Sequence, residues 1–369
     1  MLDAAAATRL DKFRLQATSS RIAALDVFRG MTMAGMVIVN NPGTWSAVYW
    51  PLEHAEWNGW TPTDLIFPFF LFIVGISLTL SRRTLTSRPV AIVRRAAIIV
   101  GCGLFMAGFP FFNPGHWRIP GVLQRIGVCY LAAAFLYRWT TGKRQAAVLS
   151  GIGIAILAAY WMVLVRFGDL SPEGNVGAAI DRALFGTHLW RVRWDPEGLL
   201  STAPAVATTV CGVLTGLWLS GPSSRERRMT GLLAGGAAAF VLGEAWGIVF
   251  PINKQLWTSS YVLLTAGAAA MTLAACIRLT EIPRTIRWMR PFEILGQNAL
   301  ALFVVSGLLG KALLDIRAQG RTLQAFIYER GFAWMAGEKN ASLLYALAFL
   351  ALMYAMCDVM YRRRIFLRA

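Results

Sequence analysis

Apolar runs of about 18 residues or more recur along this chain, and each is continuous rather than alternating. A helix of that length crosses a hydrocarbon core of roughly 30 Å. Only helices and closed barrels satisfy their backbone in lipid, and a barrel strand would alternate in polarity. Ten spans are expected, centred within 27–45, 62–80, 93–111, 119–137, 146–165, 199–220, 231–250, 258–277, 292–310 and 341–361. The predicted fold class is an all-α integral membrane protein, with both termini inside and no soluble domain. Residues 1–20 are expected to form a cytosolic N-terminal arm, and residues 21–369 a single transmembrane domain. That arm is polar, mildly basic and without the apolar core of a signal peptide, so the first span is expected to act as an uncleaved targeting signal.

The formal net charge is +17, a value that in a soluble chain would suggest nucleic acid. Here the placement of Lys and Arg offers a simpler account. With the N-terminus inside, 23 of the 36 basic residues fall on the inner side: the arm, Arg82–Arg95, Arg138–Arg144, Arg225–Arg228, Arg278–Arg290 and Arg362–Arg368. The outer loops hold 11, mostly in the longer loops 166–198 and 311–340. The basic surplus therefore reads as a cytosolic collar facing membrane lipid, and a nucleic-acid partner is not expected.

Cys102, Cys129, Cys211, Cys276 and Cys357 all lie in apolar segments, with no disulfide framework or metal-ligand spacing, so no metal is expected. They read as small buried hydrophobes. Gly212-x-x-x-Gly216 and Gly231-x-x-x-Gly235 fit close helix packing. Gly151-x-Gly153 lacks the further glycine of a phosphate loop.

The chain has three histidines, His54, His116 and His188, and the expected topology puts all three outside. His54 sits in WPLEHAEWNGWTPTDLIFP, a short loop that also holds Glu53, Glu56, Trp57, Asn58, Trp60 and Asp64. Interfacial tryptophans are ordinary. A carboxylate beside a histidine fixes its tautomer or favours its charged form, which makes His54 a candidate acid–base group. His116, in NPGHWRIPG, is largely explained by turn chemistry, and His188 reads as a surface residue. Ionisable groups within spans are costly and face a partner or a cavity; Arg125 is the clearest case. Asp26 and Arg29, three apart, share a helix face. Glu244, Glu293 and Asn298 lie in or near spans, and Lys254 is the cation of the loop FPINKQLWTSS.

Several stretches together are similar to one known family: RIAALDVFRGMTMAGMVIVNNPG, HAEWNGWTPTDLIFPFFLFIVGIS, RIPGVLQRIGVCY, DPEGLLSTAPAVATTVCGVLTG, PINKQLWTSSYVLLTAG and FEILGQNAL. From about Arg21 onward the chain resembles the catalytic domain of the heparan-α-glucosaminide N-acetyltransferases, in the shorter bacterial form that lacks an extra luminal region. The resemblance implies transfer of an acetyl group from cytosolic acetyl-CoA, as co-substrate, to a glucosamine-type amine across a bacterial inner membrane, with the histidine loop periplasmic, and a homodimer. It matches the family's active-site histidine to His54 and its asparagine at the end of the preceding helix to Asn40. Where many bacterial relatives have WHGW, this chain has Trp57-Asn58-Gly59-Trp60.

On that reading His54 serves as general base or as a covalent acetyl relay, Asn40 donates to the oxyanion, and Asp64 or Glu53 orients the imidazole. Arg118, Gln124, Arg125, Lys254 and Asn298 are expected to hold the donor. Asn41, Glu53, Trp57, Asn58 and Trp257 are expected to hold the acceptor. O-acylation of an envelope glycan, a small-solute transporter and a non-catalytic envelope protein are the competing readings.

Overall fold

The computed structural model describes residues 23–81, 88–191, 193–335 and 337–367. The arm expected over 1–20, and Arg82, Arg83 and Arg368 of the basic clusters, lie outside the described residues. The chain forms α1 (Ala23–Asn40), α2 (Ile66–Leu80), α3 (Pro89–Gly108), α4 (Val122–Trp139), α5 (Gln145–Phe167), α6 (Val176–Phe185), α7 (Leu199–Ser220), α8 (Arg225–Gly247), α9 (Ser259–Thr280), α10 (Pro283–Gln297), α11 (Ala299–Asp315), α12 (Leu323–Gly331) and α13 (Glu338–Arg362). Two short 3-10 turns, Trp50–Leu52 and Pro62–Leu65, sit between α1 and α2. The sheet content described is one two-residue hairpin, β1 (Arg317–Ala318) with β2 (Arg321–Thr322).

The all-α membrane architecture is as the apolar runs require. Among the described residues, eight helices are long and apolar enough to cross a membrane, and α10–α11 makes a ninth if counted as one span. Two departures from the ten expected spans have physical causes. α4 has the length, 18 residues, but Arg125 and Arg138 dilute its apolar character, and it packs between α3 and α7. The span expected over 292–310 is not straight: it bends by 75° at Asn298.

α2, α7 and α9 form the centre of the bundle, whereas α3, α5, α8 and α13 are peripheral and present Ile154, Met162, Val241, Leu242, Leu352 and Val359 outward. Outward apolar side chains are what lipid requires of a peripheral helix. Glycines allow the central helices to touch backbone to backbone. A Cβ on Gly212 would meet the Phe72 carbonyl, one on Gly75 the Thr209 carbonyl, and one on Gly30 the Phe292 carbonyl. Gly231 packs on the Trp218 ring, but Gly235 has open space, so the second glycine pair is only half engaged in packing. Gly212→Val must push two helix backbones apart, at about 3 kcal/mol or more. Loss of the monodisperse size-exclusion peak in detergent is the expected result.

The described residues of the loops within 41–61, 109–121, 168–198, 248–258 and 316–337 gather at one end of the bundle. Hydrogen bonds join them: Trp57 Nε1 to the Leu170 carbonyl at 2.8 Å, Gly59 N to the Ile252 carbonyl at 2.8 Å, and Ile119 N to the His188 carbonyl at 3.0 Å. Gln324 Nε2 reaches the Pro42 carbonyl at 2.6 Å. This histidine end carries His54, His116 and His188. The opposite, basic end carries the start of α1, the end of α2, the start of α3 and the C-terminal tail.

Candidate active site

The segment Thr61-Pro62-Thr63-Asp64 builds the site's base. Pro62 starts a 3-10 turn, and Asp64 caps it: Asp64 Oδ2 accepts from Thr61 N at 3.1 Å and from Ala55 N at 3.0 Å. The Thr61 hydroxyl donates to the Glu53 carbonyl at 2.6 Å, which folds the histidine loop back on this turn. The Tyr261 hydroxyl of α9 holds the Asp64 carbonyl at 2.5 Å. One carboxylate oxygen is thus committed to backbone, and Oδ1 is left for His54 Nδ1 at 2.7 Å. Asp64 is 1% exposed and His54 is 43% exposed, so an immobile carboxylate orients an accessible imidazole.

A second loop closes on the first. Asn253 Nδ2 donates to Asn58 Oδ1 at 3.1 Å, and Gly59, at φ +95°, supplies a left-handed bend beside that contact. The adjoining Lys254 then lands on the pair, its Nζ 2.8 Å from His54 Nδ1 and 3.2 Å from Asp64 Oδ1. Burial lowers the Lys254 ammonium below the usual lysine range, against the opposing pull of Asp64.

The remaining expected residues fall into three groups. Asn40 ends α1 with an exposed side chain at the histidine end. Glu53 is exposed, Asn58 pairs with Asn253, and Trp57 stacks edge-on against Trp194 at 5.4 Å. Glu53, Trp57 and Asn58 belong to the same loop as His54. Asn41 instead turns back on its own helix, donating to the Val37 carbonyl at 2.9 Å. Trp257 is 1% exposed, in the protein interior, where its ring meets Phe67 and Tyr261 and donates to Thr208 Oγ1 at 3.1 Å. Its backbone φ of +55° is strained for a bulky residue, by about 1–3 kcal/mol, and the locked ring maintains it.

The residues expected to hold the donor make the following contacts within the protein, and Arg125 Nε and Nη1 are buried without a hydrogen-bond partner among the described residues. Arg118 forms ion pairs with Asp195 and Glu197 and lies 4.9 Å over the Trp190 ring. Burial disfavours its charge, but those two carboxylates outweigh it and raise its pKa above the usual arginine value. Arg125 donates to the Gly198 carbonyl at 3.0 Å and to Ser201, and stacks 5.1 Å over Trp257. Gln124 packs onto Gly103 and Gly121. Asn298 spends both amide atoms on the tail, donating to the Ile365 carbonyl and accepting from Leu367 N, each at 3.0 Å.

A cavity of about 950 Å³ opens elsewhere, between α2, α3, α4 and α11. Asp26, Arg29, Ser81, Arg94 and Arg95 form its basic mouth; Phe70, Val74, Leu123, Ile126, Leu300 and Phe303 wall it deeper in. From Ser81 to Phe70 its wall follows α2 for about 16 Å, and Asp64 lies about 10 Å beyond. Arg118, Gln124, Arg125 and Lys254 lie instead toward the histidine end, away from its walls. Leu367 does line it, so Asn298 shapes its wall through the tail. Arg94 and Arg95 were visible in the sequence only as part of the basic collar, although two adjacent arginines inside an apolar run were a usable signal.

Residues 21–172 match the family model described as heparan-alpha-glucosaminide N-acetyltransferase, catalytic. The chain is 29% identical to the human heparan-alpha-glucosaminide N-acetyltransferase over 79% of its own length and 53% of that protein. It is 28% identical to the mouse protein of the same name, over 78% and 54%. The chain spans about half the length of these curated relatives. The resemblance carried by the motifs is borne out, and the matched segment contains Asn40, His54, Asp64 and the mouth arginines.

Proposed function

We propose that this chain is a transmembrane N-acetyltransferase that moves an acetyl group from acetyl-CoA to the amine of a glucosamine-type sugar. The observation that carries this reading is the His54–Asp64 pair, 2.7 Å apart, at the end of the bundle opposite the mouth of the cavity. The family match supports the reaction class, since the relatives are named for it.

Acetyl-CoA enters as a co-substrate. Its phosphates suit the arginines at the mouth, because guanidinium groups bind phosphate oxygens in charge-assisted pairs. The pantetheine arm suits the apolar walls, and the cavity volume falls in the range of ligand sites. The bilayer placement follows from the Lys and Arg asymmetry: the basic end is cytosolic and the histidine loop periplasmic, in an inner membrane.

The acceptor amine must shed a proton before it can attack. His54 Nε2 takes that proton, or first accepts the acetyl group itself. In the direct route the amine nitrogen bonds to the thioester carbon, the C–S bond breaks, and CoA leaves as a thiolate that picks up a proton. The oxyanion formed on the way needs an aimed donor, and the exposed Asn40 amide fills that role. Asp64 holds the imidazole with Nδ1 protonated, so that Nε2 keeps its lone pair.

The test is direct: purified protein, acetyl-CoA and glucosamine, with products resolved by mass spectrometry. N-acetylglucosamine is the expected product. Acetyl found on a hydroxyl, or CoA thioester left intact, contradicts the proposal.

A further inference from the structure

The role proposed for His54 leaves a neighbouring group without a task. Lys254 Nζ lies 2.8 Å from His54 Nδ1, 3.4 Å from Nε2 and 3.2 Å from Asp64 Oδ1. An imidazole nitrogen offers one in-plane position, either an N–H or a lone pair, and a carboxylate only accepts. At 2.7 Å a proton therefore sits between Nδ1 and Asp64 Oδ1. The Lys254 ammonium is then a second donor converging on the same oxygen, pressed against the ring.

This placement is built in. Asn253 N donates to Thr258 Oγ1 at 3.0 Å, Leu256 N to Asn253 Oδ1 at 2.8 Å, and Trp257 N to the Lys254 carbonyl at 3.1 Å. The Lys254 side chain is 17% exposed. A lysine that merely snorkels would send its head group to water.

We infer that Lys254 is a positioning residue for His54: with Asp64 it forms a balanced ion pair beside the ring, which keeps the imidazole neutral, protonated on Nδ1 and open at Nε2. This rests on the reading of His54 as the group that takes the amine proton or the acetyl. Without the ammonium, the buried Asp64 carboxylate has the imidazole as its remaining partner and draws a second proton onto it. An imidazolium has no lone pair and is neither base nor nucleophile. With the ammonium in place, like charge opposes that proton.

The other charged groups around the trio do not replace Lys254. Glu197, on the segment before α7, acts on Lys254 but is ion-paired with Arg118. Glu53 and Glu56 lie on the histidine loop itself and are exposed. Tyr261, from α9, donates its hydroxyl to the Asp64 carbonyl.

The experiment compares wild type, Lys254→Met, Lys254→Arg and His54→Gln as purified full chains. It measures kcat/KM for glucosamine from about pH 5.5 to about pH 9.5, where a histidine-dependent limb falls. In Lys254→Met the acid limb is expected to move up by about one to two pH units, so that activity lost near neutrality returns in alkali. Lys254→Arg, which keeps the cation, is expected to hold the limb in place. The KM for acetyl-CoA is expected to stay constant in both, since Lys254 is remote from the cavity mouth. A Lys254→Met limb that coincides with wild type, or a loss by the same factor at every pH, overturns the inference. Full activity in His54→Gln overturns the underlying reading of the site instead, so the two failures are distinguishable.

Discussion

Replacing His54 with glutamine is expected to lower acetyl transfer by about 10²–10⁴-fold, the usual contribution of a positioned acid–base group. Glutamine preserves size and hydrogen bonding but neither takes a proton from an ammonium nor carries an acetyl group. The donor site should survive, because the cavity walls come from α2, α3, α4 and α11, whereas His54 lies on the loop between α1 and α2. Acetyl-CoA binding measured by isothermal calorimetry should therefore stay within a few-fold of wild type. Loss of binding together with activity would mean that His54 supports the cavity and not the chemistry.

The second large effect is expected at the opposite end. Arg94→Glu with Arg95→Glu should weaken donor binding by about 10²-fold or more. A hydrogen bond to a charged partner contributes about 1.5–3 kcal/mol, and each 1.4 kcal/mol is a factor of ten. Reversing the two charges removes two such contacts and adds repulsion against the phosphates. The loss should appear in the KM for acetyl-CoA, with kcat at saturating donor largely kept. Wild-type binding should also weaken with salt, because mouth charges are screened. Donor affinity unchanged by the double reversal would remove the phosphates from this mouth.

Much of this was legible in the sequence, and the reasons differ by element. Continuous apolar runs yielded the helices, since lipid leaves the backbone no other choice. Asp64 was legible as a carboxylate in the histidine loop, but the capped turn that fixes it beside His54 emerges only in the structure. The bend at Asn298 was not legible in the apolar run, and Asn298 at the break is engaged by Ile365 and Leu367, which lie far along the chain in the tail. Arg125 looked functional because a charge in a span demands an explanation. Its Nη2 is held by Gly198 and Ser201 and its guanidinium lies over Trp257, whereas Nε and Nη1 are buried without a hydrogen-bond partner among the described residues. The contact of Lys254 with His54 was not legible, because nothing in a one-dimensional reading brings it to a loop 200 residues away. The cavity was invisible for the same reason: its wall is assembled from separate helices, and Arg94 and Arg95 acquire meaning only once α3 faces α2.

The central claim is that acetyl-CoA engages at the basic end while the amine is acetylated at the histidine end. Sealed inside-out membrane vesicles containing the protein, loaded with glucosamine and given labelled acetyl-CoA outside, test it most directly. The account predicts labelled N-acetylglucosamine within the vesicle lumen, absent when His54→Gln replaces the wild type. Label transferred only to glucosamine supplied on the same side as acetyl-CoA would contradict it.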